Sequence, residues 1–228
     1  MTAYLFVPQR DDRIPLFVMQ HKPKMKRQDA INKLVNRKLS QLTSEERKEQ
    51  LEIMTLEGWS DAPSWSKLPK HIQQEFEDGE LNQDPKSKVY DDVLRIWLST
   101  ELQGVSNNFL SVKLGVSKIF GNPAKLEACP CCGSRTLGER AAYEICRVCW
   151  WEDDGQDNNQ ADIIMGGPNK NISLTLGRYN FIKFGLFNPN RKDLMKLREP
   201  KEKYEEGRIF ELEGNNIIES KSNWKGSL

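Results

Sequence analysis

All five cysteines of this 228-residue chain fall between positions 129 and 149, and their spacing constrains the fold more than any other feature. Cys129-Pro130-Cys131-Cys132-Gly133 is followed by Cys146-Arg147-Val148-Cys149, so two Cys-x-x-Cys pairs stand thirteen residues apart (133–145). A Cys-x-x-Cys turn presents two sulfurs to one ion, and zinc takes four such ligands in a tetrahedron at about 2.3 Å. The glycine after the first pair permits the tight turn that aims backbone amides at the thiolates. The spacer suffices for a short hairpin that returns the second pair to the first, as in a zinc ribbon. The expected ligands of one structural Zn²⁺ are therefore Cys129, Cys132, Cys146 and Cys149. Cys131 is then a spare thiol, or a substitute ligand if the turn is unusual. A redox Cys-x-x-Cys uses one pair beside a βαβ pattern, whereas two pairs occur here without one. A set of reducible disulfides is the plainer alternative. An odd cysteine count confined to one segment argues against a secreted disulfide scaffold and for a reducing compartment, the cytoplasm.

Directly after the second pair comes Trp150-Trp151-Glu152-Asp153-Asp154-Gly155-Gln156-Asp157. Acidic side chains crowded beside tryptophans suit three roles: a cation site, a complement to a basic protein surface, or a solvated loop. The aspartate spacing lacks the downstream glutamate of a calcium loop. Trp151, Glu152, Asp153, Asp154 and Asp157 are the candidate partner-binding residues, with at least one tryptophan packing on the ribbon.

Upstream, the signals are helical. Ile31, Leu34, Val35 and Leu39 repeat at three-to-four spacing and give one apolar face. Thr43 and Glu46 have capping-box spacing ahead of Leu51, Ile53, Met54 and Leu56. Pro69 suits the start of a helix carrying Ile72 and Phe76. Tyr90, Val93, Leu94, Trp97, Leu98 and Leu102 mark a broad apolar face, Gly104 turns the chain, and Ser106 caps a further helix through Phe109, Leu110, Val112 and Leu114. This last pair has the outline of a helix-turn-helix, yet Lys113 is the one basic group on its second helix. Ser173 or Asn171 starts a late helix ending at Gly185, and residues 208–212 alternate like an edge strand. The predicted fold is α+β, an N-terminal helical domain followed by a small zinc-ribbon-like cysteine-rich domain. Its segments are a loosely ordered arm (1–27), a helical domain (28–120), a cysteine-rich domain (124–190) and a charged tail (191–228). Met25 would itself make a sensible start, which would leave residues 1–24 as an extension.

Charge and motifs narrow the function. Lys and Arg number 34 against 33 Asp and Glu, so generic nucleic-acid or membrane binding gains no support and recognition rests on local patches. No apolar run approaches the roughly 20 residues that cross a bilayer. The two histidines, His21 and His71, lack a Cys or Ser partner at recognisable spacing, and no P-loop, dinucleotide fingerprint or HExxH occurs. The expectation is a protein that is not an enzyme.

The runs CPCCGSRTL (129–137), YEICRVCWWEDDGQD (143–157), GGPNKNISL (166–174) and GRYNFIKFG (177–185) resemble the bacterial CPCC-type cysteine-rich domain family. The chain departs from that pattern at Arg147, where proline is usual, at Trp151, and at Gly177, where alanine is common. Members of the family resemble immunity-type genes of toxin systems. The resemblance therefore implies a cytoplasmic, non-catalytic immunity protein that binds and neutralises a cognate toxin domain. A nucleic-acid-binding zinc-ribbon regulator is the alternative.

Overall fold

The computed structural model describes residues 22–220 and 225–227. The proposed extension therefore lies outside the described residues as far as residue 21. Strand β1 (Lys24–Lys26) leads directly into helix α1 (Arg27–Gln41). There follow α2 (Ser44–Leu56), α3 (Lys70–Asp78), α4 (Asp91–Gln103), α5 (Asn107–Leu114) and β2 (Lys118–Phe120). The cysteine-rich part carries β3 (Glu127–Ala128), β4 (Arg135–Leu137) and α6 (Leu174–Phe184). The chain ends with α7 (Lys192–Leu197), β5 (Phe210–Glu213), β6 (Asn216–Glu219) and β7 (Lys225–Ser227). Helices toward the N-terminus and small sheets around the cysteines make the fold α+β, as the sequence predicts.

Each helix in the first half forms where its apolar spacing and cap place it. Ile31, Leu34, Val35 and Leu39 are all buried on α1. Thr43 and Glu46 complete the capping box of α2, with Thr43 N–H donating to Glu46 at 2.7 Å. On α2, Leu51 and Met54 go inward, but Ile53 and Leu56 face solvent, because an amphipathic surface helix buries a single stripe. Pro69 is the N-cap of α3, whose Ile72 and Phe76 join the core. Trp65 and Phe76 meet edge-on at 5.5 Å, and Phe76 stacks likewise on Tyr90. The buried Tyr90 hydroxyl donates to the buried Glu75 carboxylate at 2.5 Å. Burial and that carboxylate push Tyr90 up to about 12.

Arg27 fixes the turn between α4 and α5. Its guanidinium is buried and donates to the carbonyls of Leu102, Gln103 and Val105 at 2.7–3.1 Å and to Asn107 at 2.6 Å. It thereby satisfies carbonyls that the end of α4 leaves without helical partners. Ahead of it, β1 runs parallel to β2, pairing Lys24 with Lys118 and Lys26 with Phe120. Residues 22–26, assigned to an arm by their prolines and charge, are thus paired backbone.

The segment after 190, predicted as a solvated charged tail, is folded against the cysteine-rich part. Its charges hid this because they are paired, and half-exposed strands need few apolar positions. The expected edge strand is β5, at the end of a three-stranded antiparallel sheet ordered β5-β6-β7. Tyr204 packs in the same apolar cluster as the cysteines.

Residues 199–208 act as a strap. Glu199 N–H donates to Arg147 O at 2.8 Å, Arg135 N–H to Glu205 O at 2.9 Å, and Gly207 N–H to Gly133 O at 2.8 Å. On its other side, Ser106 N–H donates to Lys203 O at 2.8 Å. The strap therefore touches both Cys-x-x-Cys turns and the cap of α5.

Candidate metal centre

The two Cys-x-x-Cys turns are built alike. Gly133 N–H donates to Cys129 O at 2.9 Å, and Trp150 N–H donates to Cys146 O at 2.8 Å, each four residues on. Both closing residues lie in the left-handed region, at φ +79° for Gly133 and +66° for Trp150. Glycine adopts that conformation at no steric cost. Tryptophan does not, and it is held there by the surrounding packing. Strands β3 and β4 flank the first turn, and an antiparallel bridge between Ile145 and Glu152 flanks the second.

The hairpins bring four sulfurs together. Ligand atoms of Cys129, Cys132, Cys146 and Cys149 all lie within 4.8 Å of one another, and all four residues are buried. Cys129 and Cys149 sulfurs are 3.6 Å apart, as are those of Cys132 and Cys146. A tetrahedron with metal–sulfur bonds of about 2.3 Å has edges of about 3.8 Å, so the four thiols fit a metal ion. They do not form disulfides, whose sulfurs approach to about 2.05 Å. Burial pushes the thiols of Cys129 and Cys149 well up. Burial acts the same way on Cys146, but hydrogen bonds from Cys129, Cys132, Cys149 and Thr136 outweigh it and hold that group well down. An apolar pocket that gathers four sulfurs and favours a thiolate suits a cation at its centre.

Cys131 lies outside the four-sulfur set. It is buried behind Gly177, and its backbone N–H donates to the Cys129 sulfur at 3.4 Å. Thr136 Oγ1 lies 3.1 Å from the Cys146 sulfur. Spacing gave no hint of Thr136, whose place follows from the pairing of β3 with β4.

Helix α6 forms the floor. Arg178 is fully buried, donates from Nε to Pro130 O at 2.8 Å, and lies 4.0 Å from the Phe210 ring centre. Burial lowers it to about 10. Asn180 supports the loop at Phe187 through a 2.8 Å bond, and Phe187 N–H donates to Cys149 O.

The three family departures acquire contacts here. Trp151 is fully buried and meets Phe187 edge-on at 5.8 Å, and a methyl at Gly177 would stand 3.1 Å from its ring. The large residue at 151 thus requires the small one at 177. Arg147 makes a two-pronged ion pair with Glu101 on α4, which raises its pKa and ties the second turn to the helical half.

The acidic run is turned partly inward. Trp151 and Asp153 are fully buried. Asp153 accepts from Arg140 Nε and Ala141 N–H, both at 2.8 Å. Asp154 accepts from the backbone of Gln156 and from buried Asn169, which also pairs with the backbone of Glu152. Asp157 sits between Arg208 at 2.8 Å and Arg140 at 3.1 Å. Burial works against its charge, but Arg208, the Asn158 N–H and Arg140 pull it down to about 2. The partner-binding assignment of Trp151 and Asp153 is corrected on this ground, since both side chains are fully buried. The Asp153 and Asp157 carboxylates answer arginines that lie far off in sequence, so the run looks unpaired when read alone. Glu152, Asp154 and Asp157 are half-buried at the rim.

Hairpin turns, a buried four-thiol centre and a supporting helix define a cysteine-rich metal-site domain. Residues 127–204 match the family described as Cysteine-rich CPCC, so this part of the chain is a CPCC cysteine-rich domain. No curated protein and no solved structure gives a significant match. Among the described residues, no helix is long and apolar enough to cross a membrane.

Proposed function

We propose that the chain is a non-catalytic, immunity-type protein in which one structural zinc ion fixes a surface that binds and neutralises a toxin domain. The four-sulfur set carries the reading. Four thiolates complete a tetrahedral shell and leave no position for an activated water or substrate. An all-sulfur tetrahedron suits zinc, with iron the other metal of that geometry. Elemental analysis of protein purified without chelator should give one zinc per chain, and iron or no metal would overturn the assignment.

The contact surface moves away from the acidic run. Ile163, Ile164 and Met165 are consecutive and 53, 58 and 52 % exposed. Gln156 Nε2 donates to Ile163 O at 2.9 Å, and Thr175 N–H donates to Ala161 O at 2.8 Å, so the base of this loop is anchored. A rigidly held apolar knob is what a protein partner grips. The alternative, α5 as a DNA-reading helix, is opposed by Glu202, Glu205 and Glu206, which line the same cleft as Asn107 and Asn108 at its N-terminus. A partner captured from the native host should arrest growth when expressed alone and be silenced by this chain. The Ile164→Asp/Met165→Asp variant should fail to silence it. A captured partner without effect on growth would end the immunity reading.

A further inference from the structure

The geometry points to a single-stranded nucleic-acid-binding face on the β1–β2 ribbon, separate from the metal centre and from the Ile163–Met165 loop. The register places Lys24 opposite Lys118 and Lys26 opposite Phe120, with Met25 opposite Ile119. Paired residues point to the same side of a sheet and successive ones to opposite sides. Ile119 is buried and Met25 packs against the helical core, so Lys24, Lys26, Lys118 and Phe120 share the outer face, all exposed.

The surrounding sequence reinforces the charge. Neither 22–28 nor 102–126 contains an aspartate or glutamate, while Lys22, Lys113 and Lys125 add exposed cations. Asp29, in the first turn of α1, is the nearest carboxylate along the chain after β1. Along the chain both strands and their flanks thus carry cations alone, and the nearest acidic cluster from another element is Glu202, Glu205 and Glu206, in the cleft at Asn107 and Asn108.

Lysines on a small open sheet also discourage pairing with other chains, and that role alone would explain Lys24 and Lys118. It does not explain Phe120, which is 47 % exposed in the middle of them and would be a liability on a bare edge. An aromatic ring set among lysines on a sheet is instead the arrangement on which an unpaired base stacks while its phosphates meet the ammonium groups. Lys118 Nζ already lies 5.3 Å from the Phe120 ring centre, which shows the cation and the ring within reach of one nucleotide. Duplex DNA offers no exposed base face to that ring. A lipid surface would want more apolar area than one phenylalanine supplies.

The test is fluorescence anisotropy of the full, metal-loaded chain with labelled oligo(dT) and oligo(U) of about twenty nucleotides. Three phosphate contacts on a single strand give a log–log salt slope of about −2, a fall in affinity of about 20-fold between 50 and 200 mM salt. Phe120→Ala should weaken binding at least about 5-fold, as loss of one stacked base does. Lys24→Glu/Lys26→Glu/Lys118→Glu should abolish it. Lys86→Glu/Lys183→Glu/Lys196→Glu changes net charge equally away from this face and should leave affinity within about 2-fold. All six lysines are exposed, so both triple variants are expected to fold, with circular dichroism as the check. Absence of binding at 50 mM salt would overturn the inference. So would equal loss in the two triple variants, or equal binding to phosphatidylserine vesicles with no response to Phe120→Ala.

Discussion

Gly133→Ala tests how the metal turn is locked. Gly133 sits at φ +79°, and a β-carbon there would lie 1.9 Å from the Arg208 carbonyl oxygen and 2.8 Å from its carbonyl carbon. Three costs add. The left-handed conformation costs an L-residue about 1–2 kcal/mol. The clash is with backbone, so the strap must retreat and surrender the bonds from Gly207 and Arg208 N–H to Gly133 O, 2.8 and 3.1 Å long. Each is worth about 0.5–1.5 kcal/mol, which brings the loss to about 2–5 kcal/mol. Urea unfolding of the metal-loaded protein, followed by tryptophan fluorescence, measures it. Gly79→Ala separates the contributions, because Gly79 has φ +75° with nothing within 4 Å of an added methyl and should cost only the conformational part. Chelator competition should show weaker metal retention in Gly133→Ala and none of that effect in Gly79→Ala. If the two variants lose the same stability, the strap is not what secures the turn.

Three further outcomes follow from other contacts. Gly177→Ala should cost about 1–2 kcal/mol by pressing on the Trp151 ring and recover part of it when combined with Trp151→Phe; a strictly additive pair in a thermal-melt cycle would separate the two positions. Tyr90→Phe leaves the buried Glu75 carboxylate with the Asn82 N–H but without its hydroxyl donor, removes the acceptor of the Gln83 N–H, and should destabilise the helical half by about 1–3 kcal/mol, with a loss under about 0.5 kcal/mol in urea counting against that pair. Asp157, held down to about 2 from an ordinary 3.8, contributes stability that is present above about pH 4 and lost as pH falls through about 2. Asp157→Asn should therefore trail the wild type at pH 7 and converge with it in acid; a gap that does not change with pH would mean the carboxylate's charge is irrelevant.

Local signals were legible in the sequence wherever a short window decides the structure. The capping box at Thr43 and Glu46, the face of α1 and the two Cys-x-x-Cys turns each depend on residues within a few positions of one another. The four ligand positions follow for the same reason. What could not be read depends on distant partners. The parallel pairing of Lys24–Lys26 with Lys118–Phe120 leaves no mark in either segment. Asp153 and Asp157 read as surface charge until Arg140 and Arg208 are placed beside them. Arg178, fully buried on α6, looks like a solvent-facing residue by type, and the carbonyl of Pro130, the ring of Phe210 and the carboxylate of Asp157 that answer it lie far off in sequence.

The position of the strap in the chain has a bearing on biosynthesis. Gly207 and Arg208 are made long after the turn they grip, and Tyr204 long after the cluster it completes. A ribosome that stalls upstream of them yields a polypeptide whose thiols have all been synthesised but whose closing carbonyl contacts do not exist. Such a product lacks the contacts that close the first turn, so translation through Arg208 is itself part of assembling the centre.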